Sequence, residues 1–133
     1  VKPIKLGTKE PKANTKFTVA GYGMTSSVGA PSNSALLQGT LMWETKSKCK
    51  AFLESIEVTW TPRLACGYNK GKTTLCSGDW ADALVYKDAV YGIFGFGATD
   101  GFCTSTSQPC GLADIPAAAS WIKKVTGAKY DYE

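Results

Sequence analysis

Ala83-Leu-Val-Tyr-Lys-Asp-Ala-Val-Tyr-Gly-Ile-Phe-Gly-Phe96 is the stretch on which the fold turns. Ala83 to Tyr86 is a short β-prone run, Lys87-Asp88 supplies a turn, and Ala89 to Phe96 is a second run interrupted by Gly92 and Gly95. The stretch therefore reads as a β-hairpin. Working back toward the N-terminus, Val1 to Leu6 alternates apolar and basic residues, Gly7 to Asn14 is a polar connection, and Phe17 to Ala20 is again β-prone. Gly21-Tyr22-Gly23 and Gly29-Ala-Pro31 punctuate the next segment, and Ala35 to Trp43 is a longer β-prone run ahead of a lysine-rich loop that leads to Cys49. Cys49 to Leu53 fits a short helical turn. Ile56 to Trp60 alternates in the manner of a strand before Thr61-Pro62 breaks the run ahead of Cys66.

Beyond the hairpin one helix is expected. Asp114 is placed to cap it, Pro116 falls in its first turn, and Ala118, Trp121, Ile122 and Val125 recur at i, i+3, i+4 and i+7 as an apolar face. Gly127 stops it, leaving Ala128 to Glu133 as a tail. Short strands at roughly 8–12 residue spacing, closed by one helix, indicate an all-β barrel or sandwich, between which composition does not choose.

The 133 residues suffice for one domain with one core. With 44% hydrophobic and 20% charged residues, the composition is globular and excludes a disordered or fibrous class. No apolar run is long enough to cross a bilayer and no charged-then-apolar leader precedes Val1, so a soluble chain, already mature or cut back, is expected. Five cysteines among many Gly, Pro, Ser and Thr point to disulfides and an oxidising, extracellular setting. The net charge of +4 rests on lysines, five of them in the first sixteen residues, with Arg63 the only arginine. A solvated surface accounts for that pattern, and nucleic acid is not an expected partner because phosphate readers favour arginine.

Several segments, taken in order, resemble the C-terminal barrel of the chymotrypsin-like and trypsin-like serine proteases. Val1 to Leu6 looks like the linker strand entering that barrel, and Phe17-Thr-Val-Ala-Gly-Tyr-Gly23 looks like the family's V-A-G-W-G strand. Leu75-Cys-Ser-Gly-Asp-Trp-Ala-Asp-Ala-Leu84 sits where the family writes C-x-G-D-S-G-G-P-L, Tyr91 to Gly97 matches G-I-x-S-W-G, and Ser120-Trp-Ile-Lys123 matches the terminal helix. The resemblance implies a single six-stranded antiparallel Greek-key barrel with a short C-terminal α-helix. It implies one domain over residues 1–133, with the barrel at 1–113, the helix at 114–126 and a tail at 127–133. It further implies disulfides Cys49–Cys66 and Cys76–Cys103, leaving Cys110 free or available for an intermolecular bridge. Phe17 and Tyr86 stand where the family often carries another disulfide, as an apolar pair able to pack together.

The chemistry of that family needs a serine oxygen, a histidine that takes its proton, and an aspartate that orients the histidine. By the resemblance Trp80 stands at the serine position, and the chain contains no histidine. An indole N–H is a donor only. Ala81, Asp82 and Ala83 replace the two glycines and the proline that follow the serine, which alters the path of the oxyanion hole. Gly78 and Asp79 match the family motif, and Asp79 is read as a carboxylate bound by nearby backbone N–H groups or a lysine. Thr74 at the pocket base, Gly95, Phe96 and Gly97 on the substrate-pairing strand, and Cys110 on the pocket wall form a degenerate binding pocket. No metal site and no cofactor are expected, because histidine is absent and the cysteines serve as bridges. Trp43 and Trp60 are read as core residues.

These readings imply an extracellular serine protease homologue without catalytic activity, a binding or regulatory protein acting as decoy, cofactor or inhibitor. A protein partner is expected: a protease, an inhibitor, a missing N-terminal barrel or a second copy. The alternatives are one chain of a two-barrel or dimeric assembly, or an enzyme of another class on a β-barrel. A membrane is not an expected partner.

Overall fold

Alternation in sequence becomes alternation in space along the first long strand. In the computed structural model, which describes residues 4–23, 36–69, 79–96 and 109–126, β1 is Lys5–Leu6 and β2 is Lys16–Gly21. Phe17 and Val19 of β2 are buried while Lys16, Thr18 and Ala20 face water, as a two-residue period requires. The third strand, β3 (Leu37–Trp43), runs antiparallel to β2 over their full length, from Lys16 opposite Met42 to Gly21 opposite Leu37. Helix α1 (Lys46–Ser55) follows, then β4 (Leu64–Tyr68), β5 (Ala83–Tyr86), β6 (Ala89–Phe96), β7 (Cys110–Asp114) and helix α2 (Ile115–Thr126).

The hairpin read from Ala83 to Phe96 is β5–β6, with Lys87 and Asp88 both at positive φ, 48° and 59°. That pair of left-handed residues is what a tight two-residue turn demands. Six strands hydrogen-bond in the ring β2-β3-β4-β7-β6-β5, and β5 returns to β2 to close it. The result is a closed antiparallel Greek-key barrel with α2 at its C-terminal end. β1 lies outside the ring, paired in parallel with the first two residues of β6.

The barrel interior is filled by Phe17, Leu41, Leu84, Phe94 and Leu112, each at most 1% exposed, and by Trp43 at 3%. Phe17 is the hub: its ring lies 5.4 Å from Trp43, 5.5 Å from Tyr91 and 5.8 Å from Tyr86, the last in an edge-on arrangement. The Phe17–Tyr86 pair thus packs where the family resemblance placed an absent disulfide, and such pairs add about 1 kcal/mol beyond their buried area.

Two local expectations are corrected. Ile56 to Trp60 is not a strand. The chain there wraps the end of α1, where the N–H groups of Ile56 and Val58 both donate to the Leu53 carbonyl and Glu57 has φ of 61°. The apolar residues of that segment pack instead on a second cluster made by Cys49, Phe52, Leu53 and Cys66. The expected apolar face of α2 is not its buried face either, because the helix seats Ala119 against the body while Trp121 and Val125 remain 65% and 61% exposed.

Cys49 of α1 and Cys66 of β4 are joined by a disulfide, the two α-carbons 5.4 Å apart. Thr45 caps α1, its hydroxyl accepting the Lys48 N–H at 3.3 Å. The other expected bridge, Cys76–Cys103, lies outside the described residues. Closing a loop of 17 residues contributes about 3 kcal/mol in the chain-entropy account. Replacing Cys49 and Cys66 together by alanine is therefore expected to lower the unfolding free energy by about 3 kcal/mol, read from urea melts as a lower midpoint with a slope that rises as the uncrosslinked denatured chain expands.

Candidate functional site

Residues Asp79 to Asp82 form a turn that docks on the end of β6. The Asp82 N–H donates to the Asp79 carbonyl at 2.9 Å, the Ala81 N–H to the Phe94 carbonyl at 2.9 Å, and the Phe94 N–H to the Asp82 carbonyl at 2.9 Å. Ala81 takes a left-handed conformation with φ of 69°. Outside glycine and asparagine such a conformation is costly and persists where surrounding bonds hold it. Those three backbone bonds are the restraint here.

Trp80 projects from this turn and lies flat on Phe94. Their ring centroids are 4.8 Å apart and their planes differ by 4°. Phe94 below is 1% exposed and Trp80 above is 50% exposed, so one face of the indole rests on the barrel core while the residue as a whole stays half open to water. The indole is thereby fixed in orientation by the core itself.

Beneath the turn sit two carboxylates. Asp79 is 8% exposed and its Oδ1 accepts the Gly23 N–H at 2.9 Å. Asp82 turns its side chain toward Asp79, and its Oδ2 is buried with no hydrogen-bond partner. Burial first, and then the hydrogen bond and charge of Asp79, push the Asp82 carboxyl up from 3.8 to about 6. The backbone of the strand exit makes room for both groups: a β-carbon added at Gly21 would collide with Asp82 and Asp79, and one at Gly23 with Asp79. The two glycines of Gly21-Tyr22-Gly23 are thus read in space as the floor under an acid pair.

Of the expected pocket residues, Gly95 is exposed and Phe96 is half-buried against Gly111 and the disulfide cluster. Cys110 opens β7 and is 2% exposed within the core. A bridge from that sulfur to another chain would require the barrel to open. Thr74, Gly78 and Gly97 lie outside the described residues. The sequence sets Asp79 and Asp82 close together but identifies no sugar cleft that would make them a catalytic pair; their mutual approach under the turn comes from the fold.

The trypsin family profile matches residues 1–122. The chain belongs to the trypsin family. Among trypsin-family relatives, it is 30% identical over 125 residues to submandibular glandular kallikrein-9 of Rattus norvegicus, covering 94% of this chain and 47% of that one. It is 28% identical over 123 residues to trypsin alpha-3 of Lucilia cuprina, covering 92% and 71%. A solved structure of neuropsin, a serine protease expressed in the limbic system of mouse brain, superposes with a TM-score of 0.84 at 25% identity, over 95% of this chain and 54% of that one. The chain therefore spans about half the length of most of the trypsin-family proteins it resembles.

Methyl groups serve as probes of the acid pair. Gly21→Ala is expected to cost about 1–3 kcal/mol through the forced displacement of Asp82 and Asp79. Gly95→Ala, where the nearest atom to the new carbon is the Gly111 carbonyl oxygen at 3.8 Å, is expected to change stability by less than about 1 kcal/mol. Paired thermal melts of the two variants measure the contrast.

Proposed function

We propose that this chain is a non-catalytic, extracellular member of the trypsin family whose barrel acts as a scaffold for binding another protein, as decoy, cofactor or inhibitor of a protease. Trp80 carries this reading. Acyl transfer in the family begins with attack by a hydroxyl oxygen at the end of this turn, and the side chain here is an indole stacked on Phe94, whose N–H is a donor only. The sequence contains no histidine to take a proton. A histidine contributed from elsewhere would meet the same indole. The disulfide between Cys49 and Cys66 and the abundance of further cysteines support an oxidising location, and no described helix is long and apolar enough to cross a membrane.

A fluorophosphonate probe, which labels activated serines, is expected to leave the chain unmodified, and a panel of peptide esters is expected to be cleaved no faster than in buffer. Trp80→Ser is expected to behave the same way, because restoring the oxygen does not restore a base. Labelling of the unaltered chain would end this reading.

A second reading has its own support. Trp121 and Val125, one turn apart on α2, are exposed, and Ile4 next to β1 is 45% exposed. α2 packs against both β1 and β6, so these apolar side chains lie on neighbouring elements. Together with a length about half that of most relatives, this favours a chain that buries this side against a second barrel, either another polypeptide or a second copy. Sedimentation velocity is expected to show association of the unaltered chain with itself or with a co-expressed N-terminal barrel. Trp121→Lys combined with Val125→Lys is expected to abolish it while the far-ultraviolet spectrum is preserved.

A further inference from the structure

One end of the barrel collects cations that the sequence scatters. Antiparallel neighbours begin where their partners finish, so the start of β2, the finish of β3 and the β5–β6 turn share a rim. β2 opens at Lys16, opposite Met42 near the end of β3. Across its other edge Thr18 pairs with Val85, which sets the Lys87–Asp88 turn beside Lys16. The turn ahead of β2, in which the Lys12 carbonyl accepts the Thr15 N–H, is tied to the same rim: the Asn14 N–H donates to the Trp43 carbonyl at 2.7 Å and the Trp43 N–H to the Thr15 carbonyl at 3.0 Å. Glu10 Oε1 accepts the Trp43 indole N–H at 3.2 Å, which holds the neighbouring Lys9 there too. Shortly beyond Trp43, α1 starts at Lys46.

Lys9, Lys12, Lys16, Lys46 and Lys87 are all exposed, and none of them forms an ion pair among the described residues. The acids of the rim do not cancel them. Glu10 spends an oxygen on the indole, Glu44 spends one on the Thr45 N–H at 2.9 Å, and Asp114, which feels Lys46, is only 4% exposed. α1 adds to the field, because its first turn contains no acid and its positive dipole end carries Lys46 and Lys48. The buried Asp79–Asp82 pair lies at the other end, against Gly21 where β2 finishes. Like charges gathered on one rim repel one another, and a bound anion relieves that repulsion.

Residue type selects among anions. An ammonium on a flexible stem is a hydrated point charge suited to spaced, diffuse sulfates, whereas phosphates and base edges are read by the arginine fork. Several such charges strung along a rim match a linear chain of repeated charge better than a single small ion. We propose that this rim binds a linear sulfated polysaccharide of the glycosaminoglycan class, laid across the β1–β2 connection, the start of β2 and the N-terminal end of α1. The inference takes only the extracellular location from the proposed function. Labelling by a fluorophosphonate would end the non-catalytic reading and leave this surface untouched.

A fluorescently labelled heparin octasaccharide is the probe. Its anisotropy is expected to rise on titration with the unaltered chain at about 50 mM salt, and the affinity to fall at least about tenfold by about 200 mM, as counterion release requires. The fully desulfated octasaccharide is expected not to bind. Lys12→Gln combined with Lys46→Gln is expected to weaken binding about tenfold and to lower the slope of log affinity against log salt by about two. Leu36→Glu with Leu37→Glu makes the same change in net charge at the opposite end of the barrel, where both leucines are exposed. That pair is expected to alter affinity less than about threefold, because salt screens charge over such a distance. Should Lys46→Gln unsettle α1, Lys12→Gln with Lys16→Gln reads the same rim. Absence of binding at about 50 mM salt, equal weakening by the leucine pair, or binding at least as tight by a single-stranded oligonucleotide of the same charge overturns the proposal.

Discussion

Strand β6 is hydrogen-bonded along both edges, to β5 on one side and to β1 and then β7 on the other. A strand so placed has no edge left for solvent over most of its length, and it is correspondingly buried, from Ala89 through Gly92 and again at Phe94. The ring closes because β6 accepts β7, and closure removes the open edges that make isolated sheets associate. The aromatic hub around Phe17 then has a wall on every side. The turn that carries Trp80 depends on the same strand, since two of its backbone bonds end at Phe94. Support and candidate site share one residue.

Burial of acids is the second organising constraint. A chain with a net charge of +4 nonetheless places Asp79 and Asp114 at 8% and 4% exposure, each facing another carboxyl group. Backbone N–H groups compensate part of that cost, from Gly23 at one site and Ala117 at the other. Charge balance at the level of the whole chain therefore says little about the field at either pair.

Much of the barrel was legible because its strands are half-buried and alternate. Phe17 and Val19 against Thr18 and Ala20, and the two β-prone runs about Lys87-Asp88, carry their pairing in their pattern. β4 was not legible, because Leu64 to Tyr68 is a short run whose middle three residues are all buried, leaving no alternation to read. Ile56 to Trp60 failed for the opposite reason: its alternation is real, but the disulfide cluster rather than a sheet receives the apolar side chains. The α2 stripe also misled, since period alone cannot tell a face buried in this barrel from one left outside it. Trp80 was singled out because the family resemblance sets it at the serine position, whereas its stacking on Phe94 goes with a left-handed Ala81 that nothing in the residue type announces.

The small parallel strand β1 has a mechanical consequence. It is held by two residue pairs, Lys5 with Ala89 and Leu6 with Val90, by the Gly7 N–H donated to the Val90 carbonyl, and by packing against α2, whereas the six ring strands do not rely on it for closure. Tension applied at the amino end would peel this short strand away before loading the ring, so the barrel is insulated from strain on whatever is attached there.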